Sequence, residues 1–555
     1  MRTLTARIEQ AATARRGTIT FVGSGEPDPV LWSTMHAESL GMAAAMQARG
    51  VRPGDRVAIL GPTSRALVTA MQATFFAGAT IVVLPLPMRL ASLEEFIAST
   101  RTRVRLSEAA LLVVDKDLAP FIDEQPGDPQ SVLLDVLMTE GTAHPDGWRR
   151  PADDPERLAI LQFTSGSTAE PKGVMLPHHT VCANHDGIMG AVDYSADDDV
   201  LVSWLPLYHD MGLVGLLLLG MTTGADLVLA SPQDFLASPG RWMEWISAYG
   251  GTATAGPNFS YVLATRALRR AKSPLDLSRL RIALNGAEPV DPATVREFIA
   301  AAEPHKMSPG AVFPAFGMAE VAIAGTFPPP GRGLVTDVVD GGVLEHERYA
   351  VPTPADSEGA RELPRLGKPV AGLEMRIVDT TTGHVLRERE VGELQIRGTS
   401  LTTGYYRNAS ATDELFTDGW LRTGDLAYEV DGELVMCGRI KDVIIVGGRN
   451  VFPQDVERAV GTVDGIRAGN VIAFGVEGRH GKESLVVVAE TRDDDQERMR
   501  GEVTHTVREH VGLPPKDVVF VTPGTIPKTS SGKLQRSLCR EQYQADQLQP
   551  AAVAG

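Results

Sequence analysis

Short apolar segments alternate with helical patterns over the first 155 residues, and this alternation constrains the fold more than any other feature. Apolar segments at 57–60, 80–86 and 110–114 have the length of strands, and a helical pattern at 64–77 lies between the first two. Such alternation is typical of a layered α/β domain with a largely parallel sheet. We therefore predict an α/β fold for this part of the chain.

The length and charge exclude several classes of protein. A chain of 555 residues exceeds the size at which single hydrophobic cores stop growing, which predicts more than one domain. Acidic residues outnumber basic ones by 70 to 53, and the net charge of −17 argues against nucleic acid or an anionic membrane as a bulk partner.

The cysteines and the apolar runs predict a cytoplasmic protein. Cys182, Cys437 and Cys539 have no paired spacing, which is typical of reduced thiols. The first residues lack the apolar core of a signal peptide, and the apolar run near 213–219 is too short to span a bilayer. We expect no integral membrane association.

The stretch LQFTSGSTAEPKG, 161–173, gives the first chemical signal. An apolar run at 158–163 predicts a buried strand, which breaks into hydroxyl-bearing residues and glycine before Lys172. Glycine lets backbone N–H groups face anionic oxygens, while hydroxyls and lysine add donors and positive charge. The spacing does not match the Walker loop, because Gly173 follows the lysine. The stretch is therefore either a phosphate-binding loop or an ordinary surface turn.

Three further segments bring polar residues to the ends of predicted strands, where α/β proteins place their sites. The segment 200–216 delivers Tyr208, His209 and Asp210. The segments RIALNGAEP, 281–289, and VFPAFGMAE, 312–320, each end in a glycine turn that can admit a flat ring. An aromatic ring there can stack on a base, and a glutamate can hold Mg²⁺ through oxygen. Each signal is weak by itself.

The second half of the chain changes character at a polar segment, 328–370, which we predict to be a long irregular insertion. Residues 373–437 have a β-rich pattern, and Asp425 within them could accept the two hydroxyls of a ribose. We predict a large domain at 1–438, a charged hinge at 439–442 and a small α+β domain at 443–555. The loop IPKTSSGKLQR near the end carries Lys528 and Lys533.

The joint order of these motifs resembles the adenylate-forming superfamily. The series runs TSGSTAEPKG, WLPLYHDMG, NGAEP, FGMAE, GWLRTGD, GRIKDVIIVGGRN and PKTSSGK, and it spans about residues 20 to 545. Within the superfamily, the strings LQFTSGST, GPNFSY and NVFPQDVE resemble the fatty acyl-AMP ligase branch, as does the position of the polar insertion. The resemblance implies a large multi-sheet N-terminal domain and a small mobile C-terminal domain.

The resemblance also implies a reaction and a set of residue roles. A carboxylate attacks ATP to form acyl-AMP and pyrophosphate, with Lys533, Glu320 and His209 in catalytic positions. Mg²⁺ is held by Glu320 and Thr164, and Lys441 stands at the hinge. The residues implied to bind the nucleotide are Thr164, Ser165, Gly166, Ser167, Thr168, Lys172, Gly286, Ala287, Glu288, Phe316, Gly317, Met318, Asp425 and Arg439.

The acceptor of the acyl group stays open at this point. The fatty acyl-AMP ligases pass the acyl group to the phosphopantetheine thiol of an acyl carrier protein, and acyl-CoA synthetases pass it to CoA. The string Val446–Gly447–Gly448 departs from the more basic string expected of the former branch and is closer to the latter. A hydrophobic acid, fatty or a bulky biosynthetic one, is the expected substrate.

Overall fold

The computed structural model describes residues 2–14, 17–87, 93–122, 125–143, 147–164, 171–446, 449–477, 483–529, 532–548 and 551. Four residues with predicted nucleotide-binding roles lie outside the described residues: Ser165, Gly166, Ser167 and Thr168. So do Gly447 and Gly448, which belong to the string that departs from the expected basic one.

A seven-stranded sheet forms the centre of the larger part of the chain. Its neighbouring strands pair in parallel except at one edge, where a hairpin adds an antiparallel strand. Because parallel strands end at the same edge of a sheet, the loops that follow them meet there. The strands, in spatial order, are Val312–Pro314, Ile282–Asn285, Ala253–Gly256, Val200–Ser203, Asp226–Leu229, Thr18–Phe21 and Asp28–Leu31.

A second, six-stranded sheet contains the strands that the sequence alternation predicted. It is parallel apart from its last strand, Lys172–Pro177, which is antiparallel to its neighbour. The strands, in spatial order, are Gln130–Leu133, Leu111–Val114, Arg56–Leu60, Thr80–Val83, Leu158–Thr164 and Lys172–Pro177. The predicted α/β fold with several sheets is confirmed.

Helices connect the strands of these two sheets and pack on them. In this part of the chain they are Leu4–Ala14, Trp32–Ala48, Arg65–Phe76, Leu93–Ser107, Leu134–Ala143, His178–Ala191, Asp210–Gly212, Leu219–Thr223, Pro232–Ala237, Gly240–Tyr249, Asn258–Leu268 and Pro292–Ala302. A π-helix spans Leu213–Leu218, and single 3₁₀ turns span Ala119–Phe121, Glu303–His305, Pro309–Ala311 and Ala319–Val321.

Antiparallel strands follow, as the β-rich pattern of 373–437 predicted. One sheet contains Leu373–Val378, Gly392–Gly398, Phe416–Thr417, Trp420–Val430 and Glu433–Arg439, with the helix Ala409–Leu415 beside it. A smaller sheet contains Phe316–Gly317, Ala324–Phe327 and Lys368–Pro369.

The prediction of an irregular insertion at 328–370 is wrong. Strand Thr336–Asp340 pairs with strand Ala360–Pro364, and helix Gly341–Glu347 lies between them. Asp340 begins this helix, since its carboxylate accepts a hydrogen bond from the Val343 N–H at 3.0 Å. The proline, glycine and charge that surround these elements concealed the first strand, whose buried face consists of Asp337 and Val339 and so has no apolar alternation.

The C-terminal part is a separate set of small sheets and helices. Ile444–Val446 pairs with Arg449–Val451, and a three-stranded sheet contains Ile466–Glu477, Glu483–Thr491 and Asp517–Val521. The helices are Pro453–Val460, Gln496–Val511 and Arg536–Gln544, and a 3₁₀ turn at Ile440–Asp442 precedes them all. The predicted α+β character is confirmed for this segment, while the domain boundaries stay a prediction.

A buried ion-pair network fixes the last helix in this part. The Arg536 guanidinium contacts Glu457 at 2.7 Å and Asp442 at 3.0 Å, and all three side chains are at most one-fifth exposed. Burial opposes the charge on Arg536, but the two carboxylates raise its pKa. The network joins the final helix to the helix Pro453–Val460 and to the 3₁₀ turn.

Within the described ranges, no helix combines the length and apolarity needed to cross a membrane. Cys182, Cys437 and Cys539 are free and buried, and burial raises the pKa of each thiol, to about 11 for Cys182 and about 12 for the other two.

Two histidines on the helix His178–Ala191 are buried in the core. His178 accepts a hydrogen bond from the Leu4 N–H at Nδ1. His185 is fully buried, with Nε2 2.9 Å from the Val214 carbonyl. Burial lowers the pKa of both imidazoles to about 4, so both are neutral in the folded chain at pH 7.

Acidification should therefore destabilise the fold below pH 6.5. The unfolded histidine binds a proton near pH 6.5 and the folded one near pH 4, so stability is lost across that interval as pH falls. Between pH 7 and pH 5 the wild-type chain should lose about 2 kcal/mol more than His185→Asn. Urea unfolding at the two pH values measures this. Exposed His505→Asn is the control and should keep the wild-type pH dependence; equal dependence in all three proteins would contradict the expectation.

Candidate active site

One cleft of about 2190 Å³ collects the residues that the sequence singled out. It opens where the strands of the seven-stranded sheet end, and the C-terminal part of the chain covers one side of it. Every predicted site residue within the described ranges lines it: Thr164, Lys172, His209, Gly286, Ala287, Glu288, Phe316, Gly317, Met318, Glu320, Asp425, Arg439, Lys441 and Lys533. The structure thus brings the described set together, while the role of each residue stays a prediction.

Two glycine turns keep the backbone close to the cleft. A Cβ atom on Gly317 would lie 2.0 Å from the Ile323 carbonyl oxygen, so only glycine fits there. After the neighbouring strand, Ala287 has φ of 67°, a left-handed conformation that is uncommon for alanine. These turns leave a gap with backbone on its walls, which suits a flat ring.

Glu320 is buried at the cleft and is held by a tyrosine. The Tyr405 hydroxyl donates a hydrogen bond of 2.8 Å to Glu320 Oε1. Burial raises the pKa of Glu320, and the Tyr405 hydroxyl partly opposes that rise. The same tyrosine ring lies 4.9 Å from Lys172 Nζ, within range of a cation–π contact. Tyr405 therefore positions both an anionic and a cationic residue of the cleft.

Thr164 and Lys172 flank the loop that lies outside the described residues. They are opposite each other in the antiparallel pair, and the Thr164 hydroxyl donates to the Lys172 carbonyl at 3.4 Å. The two ends of the loop are therefore fixed side by side at the cleft.

Asp425 and Arg439 form an ion pair across two antiparallel strands. The Arg439 Nε lies 3.1 Å from Asp425 Oδ1, and the two residues are opposite in the strand register. Asp425 is 5% exposed, whereas the arginine side chain is 55% exposed. Burial raises the pKa of Asp425 and the guanidinium opposes that rise. The buried carboxylate is thus held at the cleft by a guanidinium that is more exposed than it is.

His209 and Asp210 lie at the entrance to a short helix after the strand Val200–Ser203. His209 Nδ1 is 2.5 Å from Asp210 Oδ1, and the Met211 N–H donates to the same carboxylate at 2.8 Å. Burial opposes ionisation of Asp210, yet His209 and Lys533 lower its pKa. Asp210 is therefore an anion of the cleft that received no role from the sequence, although the YHD string had indicated the position.

Lys533 faces three carboxylates across the cleft. Burial lowers its pKa, and Asp210, Glu288 and Glu320 oppose that effect. Glu288 accepts a hydrogen bond from the Phe259 N–H at 2.7 Å, and its own pKa is raised by burial. The C-terminal loop thus places its ammonium group among the side chains delivered by the larger sheets.

Lys441 lies on the 3₁₀ turn at the border of the cleft. Burial lowers its pKa, as does Arg439, while Asp442 and Asp425 raise it. This position agrees with a junction between the two parts of the chain, although its role as a hinge stays a prediction.

An apolar part of the cleft extends along the seven-stranded sheet toward the amino ends of its strands. It is lined by Ile188, Val192, Leu201, Ala253, Ile282, Leu284 and Phe327. At its far end the Arg281 guanidinium contacts Asp199 at 2.5 and 2.9 Å. The sequence did not indicate this ion pair, because Arg281 precedes the apolar strand like any solvated charge.

The sequence also missed Tyr405. It stands in a pair with Tyr406 after a glycine, and nothing in the pattern distinguishes the buried tyrosine from its partly buried neighbour, whose hydroxyl contacts Glu108 at 3.0 Å.

Comparisons with known proteins agree with the fold. The sequence matches the family described as AMP-binding enzyme over residues 8–406. The putative ligase Rv1013 of Mycobacterium tuberculosis (strain ATCC 25618 / H37Rv) is 40% identical over 539 residues, which cover 95% of this chain and 97% of that protein. A solved structure from a study of fatty acyl-adenylate ligases of E. coli and L. pneumophila superposes with a TM-score of 0.90 at 31% identity, with 98% of both chains covered.

Two other relatives carry names that differ in the acceptor. The putative fatty-acid–CoA ligase fadD25 of M. tuberculosis (strain CDC 1551 / Oshkosh) is 34% identical over 94% of this chain and 93% of its own. The medium-chain-fatty-acid–[acyl-carrier-protein] ligase JamA of Moorena producens (strain JHB) is 33% identical over 94% of this chain and 91% of its own.

Two parallel-strand sheets with a charged cleft at their strand ends, together with these matches, define an acyl-AMP-forming ligase of the fatty acyl-AMP ligase and acyl-CoA synthetase type. The chain belongs to the AMP-binding enzyme family of the adenylate-forming superfamily. The predicted superfamily is confirmed.

Removal of the Tyr405 hydroxyl should destabilise the protein. Tyr405→Phe keeps the ring beside Lys172 but leaves the buried Glu320 carboxylate without its 2.8 Å donor, at a cost of about 1–3 kcal/mol. Tyr406→Phe is the matched control and should change stability by less than about 0.5 kcal/mol, because its hydroxyl bond is exposed. Chemical denaturation of the two variants checks this, and equal losses would contradict the stated role of Tyr405.

Proposed function

We propose that this chain activates a hydrophobic carboxylic acid with ATP and then transfers the acyl group to the phosphopantetheine thiol of an acyl carrier protein. The observation that carries the proposal is the convergence of the described motif residues on one cleft in a member of the AMP-binding enzyme family. Motifs separated by hundreds of residues would not line one cavity unless they served a common ligand.

In the first step a carboxylate oxygen attacks the α-phosphorus of ATP. A new phosphorus–oxygen bond forms, the bond to the bridging oxygen breaks, and pyrophosphate leaves with its electron pair. Both reactants are anionic, so the protein's contribution is charge neutralisation and positioning. Lys172 and Lys533 supply positive charge at two sides of the cleft, and Lys533 would bridge the carboxylate and the α-phosphate.

The polyphosphate would lie against the loop from Thr164 to Lys172, where hydroxyls and N–H groups donate to its oxygens. Adenine would lie in the gap between the turns at Gly286–Ala287–Glu288 and Phe316–Gly317–Met318, with the Phe316 ring against the base. The Asp425 carboxylate would accept the ribose hydroxyls, assisted by Arg439.

The donor set of the cleft fits Mg²⁺. This ion prefers hard oxygen ligands and usually takes one or two carboxylates, keeping waters and substrate phosphates as its other ligands. Glu320 and the Thr164 hydroxyl supply such oxygens, and no cluster of three His, Cys, Asp or Glu ligands exists among the described residues. When bound, the ion would neutralise charge on the phosphates and the leaving pyrophosphate.

The apolar lining along the seven-stranded sheet supports a hydrophobic acid as the substrate. Its carboxylate would lie near His209 and Lys533, and its apolar part would extend toward the Arg281–Asp199 pair. The charged pair at that end favours an acid whose apolar part stops short of it.

In the second step the thiol sulfur attacks the carbonyl carbon of acyl-AMP. A carbon–sulfur bond forms, the carbon–oxygen bond to AMP breaks, and the thiol proton passes to solvent. We propose that the small domain, 443–555, rotates about the hinge at 439–442 relative to the large domain, 1–438, so that Lys533 leaves the cleft before the thiol enters.

CoA is the second candidate for the acceptor. The name of fadD25 and the Val446–Gly447–Gly448 string favour it, whereas the name of JamA and the fatty acyl-AMP ligase motifs favour a carrier protein.

The protein should exchange labelled pyrophosphate into ATP when a suitable carboxylate is supplied. The assay is run with fatty acids of graded length and with ring acids, with and without Mg²⁺. Exchange that needs both acid and Mg²⁺ supports the first step. Absence of exchange with every acid of the panel would sink the proposed function.

Lys533→Ala should reduce adenylation by about 10²–10³-fold, because it removes the cation that faces the reacting carboxylate. Thioester formation from supplied acyl-adenylate should stay close to wild type, since the lysine is proposed to leave the cleft by then. Single-turnover assays measure the two steps separately. Lys516→Ala, an exposed lysine in the same part of the chain, is the control. Equal loss of both steps in Lys533→Ala would argue against the rotation.

A further inference from the structure

The helix Asn258–Leu268 connects the cleft with the protein surface. At its first turn the Phe259 N–H donates to Glu288, and a Cβ on Gly532, next to Lys533, would lie 3.6 Å from the Phe259 ring. Ten residues of helix separate Phe259 from Arg269, which corresponds to about 15 Å at the standard rise. One end of the helix is therefore at the reacting groups and the other is in solvent.

The outer end of this helix carries four exposed cations, Arg266, Arg269, Arg270 and Lys272, which we call the basic end. Arg269 contacts Glu297 at 3.3 Å, and both of these side chains are more than half exposed. Among the residues that the structure describes, Arg266, Arg270 and Lys272 have no carboxylate within ion-pair distance. The protein as a whole has a net charge of −17, so the basic end opposes the overall charge.

The basic end is continuous with the cleft. Arg266 and Arg269 line the same cavity as Lys533, and so does Leu236, which is 60% exposed. Leu236 lies four residues before Gly240, where a Cβ would be 3.4 Å from the Ala267 side chain, so the helix Gly240–Tyr249 that follows Leu236 packs on this helix. The mouth of the cleft therefore combines an exposed apolar side chain with positive charge.

Stabilisation of the helix dipole does not account for this arrangement. Cations in the last turn of a helix are favourable, which would explain Arg266. The helix ends at Leu268, however, and three of the four cations follow it in sequence. Their concentration beside the mouth of the cleft indicates an external anionic partner.

We propose that the basic end is the docking surface for an acidic acyl carrier protein, whose phosphopantetheine arm enters the cleft along the helix Asn258–Leu268. The inference rests on the proposed function and specifies its partner.

The arm is flexible, linear and joined to its protein through a phosphate, so it needs a cationic mouth and a path to the acyl-adenylate. Guanidinium groups pair with phosphate through two parallel hydrogen bonds, which suits Arg266 and Arg269 to the phosphate. Arg270 and Lys272 lie farther along and face the carrier's own acidic surface.

The test reverses the two outer charges in Arg270→Glu/Lys272→Glu. Neither residue lines the cleft, so acid-dependent pyrophosphate exchange should stay within twofold of wild type. The KM for a purified acidic holo acyl carrier protein should rise about tenfold or more, and its dependence on salt should weaken, because charges at the rim of an interface control encounter. Acyl transfer to free CoA should be unchanged.

The matched control is Arg52→Glu/Lys116→Glu, which makes the same change in net charge on exposed residues that flank strands of the six-stranded sheet, outside the cleft. The control should keep the wild-type KM for the carrier. An equal rise in KM in both double variants would overturn the proposal, because the effect would then follow the overall charge.

Two other results separate this inference from the proposed function. Loss of pyrophosphate exchange in the wild type would reject the adenylation itself. If pyrophosphate exchange is normal and CoA is acylated, but no holo carrier protein of a panel is acylated, the docking surface alone is rejected. A carrier KM that does not change in Arg270→Glu/Lys272→Glu would also reject it.

Discussion

The parallel register of the seven-stranded sheet is the constraint on which the rest of the site depends. Gly256 pairs with Asn285, and Asn285 pairs with Pro314, so the loops that follow these strands begin side by side. Their backbone hydrogen bonds fix those starting points to within one residue, since a slip would turn every side chain to the opposite face. Residues far apart in sequence thereby become neighbours before any side chain contributes to the chemistry.

The cleft contains buried carboxylates, which destabilise the protein, and cations, which suit an anionic ligand. Glu320, Asp425 and Glu288 are carboxylates whose pKa values burial raises, and they accept hydrogen bonds or an ion pair from Tyr405, Arg439 and the Phe259 N–H, respectively. Buried carboxylates destabilise a protein unless they are paired, so this cleft needs cations nearby. Lys172 and Lys533 meet that requirement from two separate parts of the chain. The cleft is therefore a balanced charge array, not a simple positive pocket.

The sequence predicted the fold class and the members of the site better than it predicted their contacts. Strands such as Arg56–Leu60 and the helix Pro453–Val460 have strong local periodicity, so their positions could be inferred within a residue or two. The strand pair in 328–370 was missed because turn-forming residues dominate the local composition there. The apolar residues of this pair are buried against Leu426 and Tyr428, which are distant in the sequence. Tyr405 and the Arg281–Asp199 pair escaped for the same reason: their roles depend on tertiary neighbours that no local pattern contains.

The Arg536 network has a mechanical consequence for the junction between the two parts of the chain. Asp442 forms an ion pair with Arg536, which also pairs with Glu457. The last residue of the 3₁₀ turn is therefore anchored to the C-terminal part. Arg439, at the other side, is fixed in a strand opposite Asp425. Only Ile440 and Lys441 remain between the two anchors. If the two parts rotate as we propose, the change in backbone torsion would be concentrated in these two residues.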